Sequence, residues 1–315
     1  MIVDLEETTV SKVGKALNRL RKEGGVTAVG RVLTLLVQVR SESFEDAIDA
    51  ANRASREHPC RVVVLVACDP KGEARLDAQI RVGGDAGASE VIVLHAHGPL
   101  SAKPESLVSG LLLPDAPIVV WWPDGVAQAP EERALGRMAT RRITDSFAAS
   151  KPKDALLSIA EHYEPGDTDL AWTRLTLWRG QLAATFDQID PSTITQVTVE
   201  GAPDSPSTTL LAAWLSPKLR ARVTVAAAPN RIPEGIRRIR ISRPEGDIEL
   251  VRSGDGVVEL YQPHQRVQRI SLPERPLHEC LSEELRRLDP DVVFGEVVRS
   301  PVIRSTLRSV RPSER

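Results

Sequence analysis

Continuous apolar runs that alternate with amphipathic helices constrain this chain more than any other feature. VLTLLVQV (Val32 to Val39), CRVVVLVACDP (Cys60 to Pro70), VIVL and PIVVWWP are short, apolar and rich in β-branched residues. Such runs read as strands covered on both faces. Between the first two lies SFEDAIDAANRASRE, with Ser43 as N-cap and Phe44, Ala47, Ile48 and Ala51 on one helical face. Strand, helix, strand implies a parallel crossover.

The same grammar extends outward. A first helix from Thr9 to Leu20 presents Val10, Val13, Leu17 and Leu20 and stops at Gly24-Gly25. LDAQIRV, a helix around Leu107 to Leu112, and helices near Glu131 to Met138 and Asp154 to His162 complete a three-layer α/β sheet domain. EPGDTD is its boundary. The second half opens with a helix from Leu170 to Phe186, then TITQVTVE, a helix around Leu210 to Leu215, and RARVTVAA. IRRIRIS, DIELVRS, VVELYQ and RVQRISL follow, separated by PEGD, GDG and QPHQ, the pattern of an antiparallel meander. Its alternation sets Ile239 and Ile241 on one face and Arg238 and Arg240 on the other. A last helix carries Leu277, Cys280, Leu281, Leu285 and Leu288. The expectation is an α/β protein of two domains, 1–165 and 166–300, the second containing the meander, with a basic flexible tail at 301–315.

Composition narrows the function classes. With 315 residues, 41% hydrophobic and 27% charged, the chain can bury two cores. A formal charge of −2 gives no reason to expect nucleic acid or a membrane as partner. The acidic start MIVDLEETTV and the shortness of the apolar runs favour a soluble, cytoplasmic protein. Cys60 and Cys68 flank one strand, about 26 Å apart, against the roughly 5.5 Å between the α-carbons of a disulfide. Cys280 lies on an apolar helix stripe and reads as core.

Several clusters admit a chemical reading beside a structural one. VGGDAGA (Val82 to Ala88) is a glycine loop that can offer N–H groups to phosphate, but it has neither P-loop nor GxGxxG spacing and reads as a turn. His95 and His97 point the same way from a strand, yet no third metal ligand accompanies them. GxSxG and HEXXH are absent. No catalytic residue, metal or cofactor is assigned. Trp121 and Trp122, adjacent on a strand, face opposite ways, so one enters the core and the other meets the opposite layer or a partner. RRITDSF sets Arg141 and Arg142 beside Asp145 and Ser146, a group suited to a phosphate or to an internal ion pair. In GDTDLAWTRLTLWRGQLAATFD, Trp172, Leu175, Trp178, Leu182 and Phe186 share a helix with Arg174 and Arg179, behind acidic caps at Asp167 to Asp169.

DLAWTRLTLWRG, together with HPCRVVVLVA, LLLPDAPIVVWWP and RRITDS, resembles the OpcA family, the glucose-6-phosphate dehydrogenase assembly proteins. The likeness runs from the first helix to about Ser300. It implies a non-catalytic partner, associated with assembly or allosteric activation of the dehydrogenase that opens the oxidative pentose phosphate pathway. It supplies no catalytic residues, so Trp121, Trp122, Arg142, Asp145, Asp169, Trp172, Arg174, Trp178 and Arg179 stand as candidate partner or phosphate contacts. Cysteine redox control, linked to photosynthetic members, finds little support in the spacing of Cys60 and Cys68. The competing reading is an enzyme or sensor for a sugar phosphate or nucleotide, held by Arg142, Arg174 or Arg179. Self-association is left open.

Overall fold

A computed structural model describes residues 1–23, 30–40, 42–82, 90–125, 129–228, 235–254 and 256–308. They form two compact units, and the chain passes between them more than once. The first comprises Met1–Asp145, Gly166–Thr168 and Pro276–Pro290, and the second Ser146–Pro165, Asp169–Arg275 and Asp291–Arg315.

The strands of the first unit are β1 (Ile2–Leu5), β2 (Leu33–Arg40), β3 (Cys60–Ala67), β4 (Arg75–Arg81), β5 (Glu90–His97), β6 (Ile118–Trp122), β7 (Arg141–Thr144) and β8 (Asp167–Asp169). They make one sheet in the order β1-β4-β5-β3-β2-β6-β7-β8. The central strands β5, β3, β2, β6 and β7 are parallel, as the continuous apolar runs of the first four require, and β1 and β4 add an antiparallel edge.

Helices α1 (Val10–Glu23), α2 (Phe44–Ala54) and α3 (Pro104–Val108) flank the sheet. Val13, Leu17, Leu20, Leu107 and Leu111 form one core with Leu36, Val63, Leu65, Ile92, Leu94, Val120 and Trp122. Side chains alternate along each strand, so Leu35, Val62, Val64 and Trp121 take the opposite face. There α2 contacts β2 and β3 and packs on the helix Leu277–Arg286.

The second unit holds α4 (Pro152–Glu161), α5 (Leu170–Thr173), α6 (Thr176–Phe186), α7 (Pro206–Leu215), α9 (Val292–Val298) and α10 (Pro301–Arg308), α8 being the first-unit helix Leu277–Arg286. Its strands are β9 (Gln196–Gly201), β10 (Arg222–Ala227), β11 (Ile236–Ser242), β12 (Ile248–Gly254), β13 (Val257–Tyr261) and β14 (Gln268–Ser271), in the order β10-β9-β11-β12-β13-β14. β9 and β10 are parallel, and β11 to β14 form the expected meander. Ile239 and Ile241 are buried with Val197, Val199, Leu250 and Val258, while Arg238 and Arg240 lie on the wetter face.

Five local expectations change. The helix expected near Glu131 to Met138 is two single 3-10 turns, Pro130–Glu132 and Gly136–Met138. A Cβ at Gly136 would collide with the Pro130 carbonyl, so the glycine permits a tight approach that a regular helix would not need. The helix expected around Leu107 to Leu112 is the short α3 followed by the 3-10 turn Ser109–Leu111. The single helix expected from Leu170 to Phe186 is interrupted, with the Leu175 N–H donating to Trp172 O at 3.0 Å in a tightened turn between α5 and α6. EPGDTD, expected as a boundary, carries β8 at the edge of the first sheet. Gly166, at φ +101°, accepts the Arg142 N–H through its carbonyl at 2.9 Å. Finally, residues 301–308 of the expected flexible tail are the helix α10, whose Ile303 and Leu307 join the second core.

Candidate functional site

Within the first unit, the candidate residues surround β6 and β7. Trp121 and Trp122 are both buried, one in each face of the sheet. The Trp122 Nε1 donates to Gln38 Oε1 at 2.8 Å, and the Arg133 guanidinium lies 5.7 Å from the Trp122 ring centroid. The Trp121 Nε1 is buried without a hydrogen-bond partner among the described residues.

Adjacent Arg141 and Arg142 likewise point to opposite faces. Arg142 pairs with Asp167 on β8, and Arg141 with Glu284 on α8, all four side chains withdrawn from solvent. Arg141 Nη1 also donates to Asp289 O at 2.7 Å. RRITDS therefore uses its guanidiniums as internal ion pairs. Asp145 is buried as well.

Within the second unit, Asp169 is the fixed point. Its Oδ1 accepts the Ala171 N–H at 2.9 Å, capping α5, and the Ser146 hydroxyl at 2.8 Å, while Oδ2 accepts the Ser146 N–H at 2.8 Å. Asp169 caps the helix as expected, whereas Asp167 serves Arg142. Trp172 donates its Nε1 to Asp291 Oδ2 at 2.9 Å, and Asp291 Oδ1 caps α9 through the Phe294 N–H at 2.9 Å. The Arg179 guanidinium sits 3.7 Å from the Trp172 ring centroid. Trp172 leans on Phe294 at 6.1 Å, Phe294 meets Tyr163 edge-on at 5.9 Å, and Arg299 covers Tyr163 at 4.7 Å. Arg174 lies over Phe147 and Arg252 over Trp178.

Trp121, Trp122, Arg142, Asp145, Asp169, Trp172 and Trp178 are thus buried, and Arg174 and Arg179 are half-buried. The outer face of α6 exposes Leu177, Gly180, Ala183 and Ala184 beside those two arginines. Leu177, 37% exposed, is one of few large apolar side chains in solvent among the described residues.

The histidines do share a strand face, but different partners hold them. His95 meets the Phe44 ring at 5.5 Å, and His97 Nε2 is 3.4 Å from Asp77. Among the described residues no group of three or more His, Cys, Asp or Glu can hold a metal, and no helix is long and apolar enough to cross a membrane. Cys60 and Cys280 are buried thiols, and burial pushes the partly exposed Cys68 thiol up. The glycine loop is described only at Val82, its residues 83–88 lying outside the described residues.

Sequence reading missed Asp291, Glu284 and Arg252. A signal existed for Asp291, since an Asp before VVF is an N-cap pattern. Glu284 and Arg252 carry no local signal, because their partners lie far away in sequence.

Comparison with known proteins gives two consecutive family matches. Residues 51–161 match the N-terminal domain of the glucose-6-phosphate dehydrogenase subunit, and residues 165–298 match the C-terminal domain of the same subunit. No curated protein matches. Among solved structures, the probable oxidoreductase yhhX is 10% identical, with 90% of this chain and 98% of that chain covered and a TM-score of 0.47. An oxidoreductase from Sinorhizobium meliloti is 12% identical, with 88% and 94% covered and a TM-score of 0.45. Likenesses this slight transfer neither fold nor activity. The paired domain matches, in order along the chain, establish that it belongs to the OpcA family of glucose-6-phosphate dehydrogenase assembly proteins.

Proposed function

We propose that this chain is a non-catalytic, cytoplasmic partner that binds glucose-6-phosphate dehydrogenase and favours its active oligomer in the oxidative pentose phosphate pathway. The observation that carries the reading is the family match across both units. The geometry supports it from another side. The motif carboxylates and guanidiniums are engaged in caps, ion pairs and ring stacking, which organise a scaffold. The outer face of α6, with Leu177 between Arg174 and Arg179, is the contact surface this reading assigns to the dehydrogenase.

An activator works by binding the active arrangement more tightly than the inactive one. A coupling of about 1 to 3 kcal/mol changes that equilibrium roughly 5- to 150-fold. Initial rates of the dehydrogenase with increasing amounts of this chain test the reading. A saturable rise is expected, and rates that stay constant at every concentration refute activation.

A further inference from the structure

Three guanidiniums converge on one carboxylate where β2, β3 and β5 begin. Arg21 closes on Glu90 through Nε and Nη2, Arg31 Nη2 stands 3.0 Å from Glu90 Oε1, and Arg61 Nε stands 3.2 Å from Oε2. Arg61 Nη1 also donates to Leu111 O at 2.6 Å. Side-chain exposure decides the charge balance. Arg21, 33% exposed, remains in contact with water, whereas Arg31 at 12%, Arg61 at 7% and Glu90 at 2% are withdrawn. The one carboxylate therefore faces two withdrawn guanidiniums and a third at the rim. Arg31 Nε is buried without a hydrogen-bond partner among the described residues.

Withdrawing an ion from water is costly unless counter-charge and hydrogen bonds replace the lost solvation. Burial lowers Arg31 and Arg61, with Glu90 opposing and the neighbouring guanidiniums adding to the shift. Burial alone would raise Glu90, but the hydrogen bonds from Arg21 and the three positive charges hold it below the usual carboxylate range. Glu90 is thus ionised, and its two oxygens already serve all three arginines. Among the described residues, three positive groups face one negative here, an excess that the roughly −2 charge of a phosphate group at neutral pH would balance. The planar fork of N–H donors on arginine matches phosphate oxygens.

We propose that Arg21, Arg31 and Arg61 form a binding site for a phosphate group, with Glu90 fixing the guanidiniums in place. None of these residues lies on the face assigned to the dehydrogenase, so the site stands or falls independently of that reading.

Thermal unfolding of the full chain in inorganic phosphate, in glucose 6-phosphate and in chloride at matched ionic strength tests the site. Phosphate is expected to raise the unfolding midpoint above that in chloride, in a saturable way. A larger rise with the sugar phosphate assigns the site to a phosphate monoester, and a rise with inorganic phosphate alone assigns it to the free ion. Arg31→Gln is expected to abolish the rise while keeping the midpoint in chloride, because relief of repulsion offsets the lost contact. No excess over chloride with either phosphate, or an Arg31→Gln variant that responds like the unmodified chain, overturns the proposal. Should that variant not fold, calorimetric titration of the unmodified chain with inorganic phosphate decides: saturable binding at millimolar concentration supports the site, and none overturns it.

Discussion

The Arg179 guanidinium stacks 3.7 Å from the centroid of the Trp172 indole, whose Nε1 donates to Asp291. One ring thus ties α6 to the cap of α9, and its two interactions can be separated by mutation. Removing the cation with Arg179→Ala is expected to cost about 1 kcal/mol, the upper part of the range for an exposed cation–π pair. Trp172→Ala removes ring packing as well and is expected to cost about 3 to 5 kcal/mol. Urea titration of both variants checks the ranking, and equal losses would contradict it.

The buried Asp169 carboxylate accepts the Ala171 N–H, the Ser146 N–H and the Ser146 hydroxyl. Asp169→Ala removes the cap of α5 and strands the Ser146 N–H. Together these are expected to cost on the order of 3 kcal/mol. Asp169→Asn keeps one acceptor oxygen and should fall between that variant and the unmodified chain, as measured by thermal unfolding.

Arg142 and Asp167 test the ion pair at the sheet edge. Either single replacement, Arg142→Met or Asp167→Leu, takes the counter-charge of this pair away from a buried ionised group and is expected to cost about 3 to 5 kcal/mol. The double variant should recover most of the loss. Strictly additive losses in a double-mutant cycle would show that the pair is not coupled.

His95 supplies a pH signature. Burial lowers its pKa, Asp77 and Glu45 oppose, and His97 and Arg81 add to the lowering. A histidine whose folded value lies below the ordinary value of about 6.5 binds fewer protons folded than unfolded. Its contribution is complete above the unfolded value and is lost as pH falls through the folded one. Unfolding free energy should therefore decline as the solution is acidified below about pH 6.5, and His95→Asn should flatten that decline. An unchanged slope in urea titrations of the variant would contradict the assignment.

The strand skeleton was legible because parallel strands covered on both faces leave unbroken runs such as CRVVVLVA, and the meander because its turns are spelled in glycine and proline. The course of the chain between the units was not. EPGDTD reads as a linker in every local respect, yet pairing beside β7 makes it an edge strand. Helix α8 falls inside the expected second domain, 166–300, yet Glu284 answers Arg141 across 143 residues. The candidate site was found as a set of residue types, and the burial of its tryptophans and carboxylates depends on partners that no local pattern announces. The Arg21, Arg31, Arg61 and Glu90 cluster is the extreme case, since only strand register brings Arg61 beside Glu90.

Leu177→Asp examines the proposed contact surface. Leu177 is exposed, so the charge should leave the unfolding midpoint within a degree or so of the unmodified chain, by the small effect usual at surface sites. Binding to the dehydrogenase should weaken about 10-fold or more, as for loss of a central apolar contact. Undiminished binding would move the interface elsewhere.

Sedimentation velocity of glucose-6-phosphate dehydrogenase, with and without this chain, decides whether the two are partners. They are expected to co-sediment, with the dehydrogenase shifted toward its active oligomer. Independent sedimentation, with the oligomer distribution of the dehydrogenase unchanged, would contradict the proposed function.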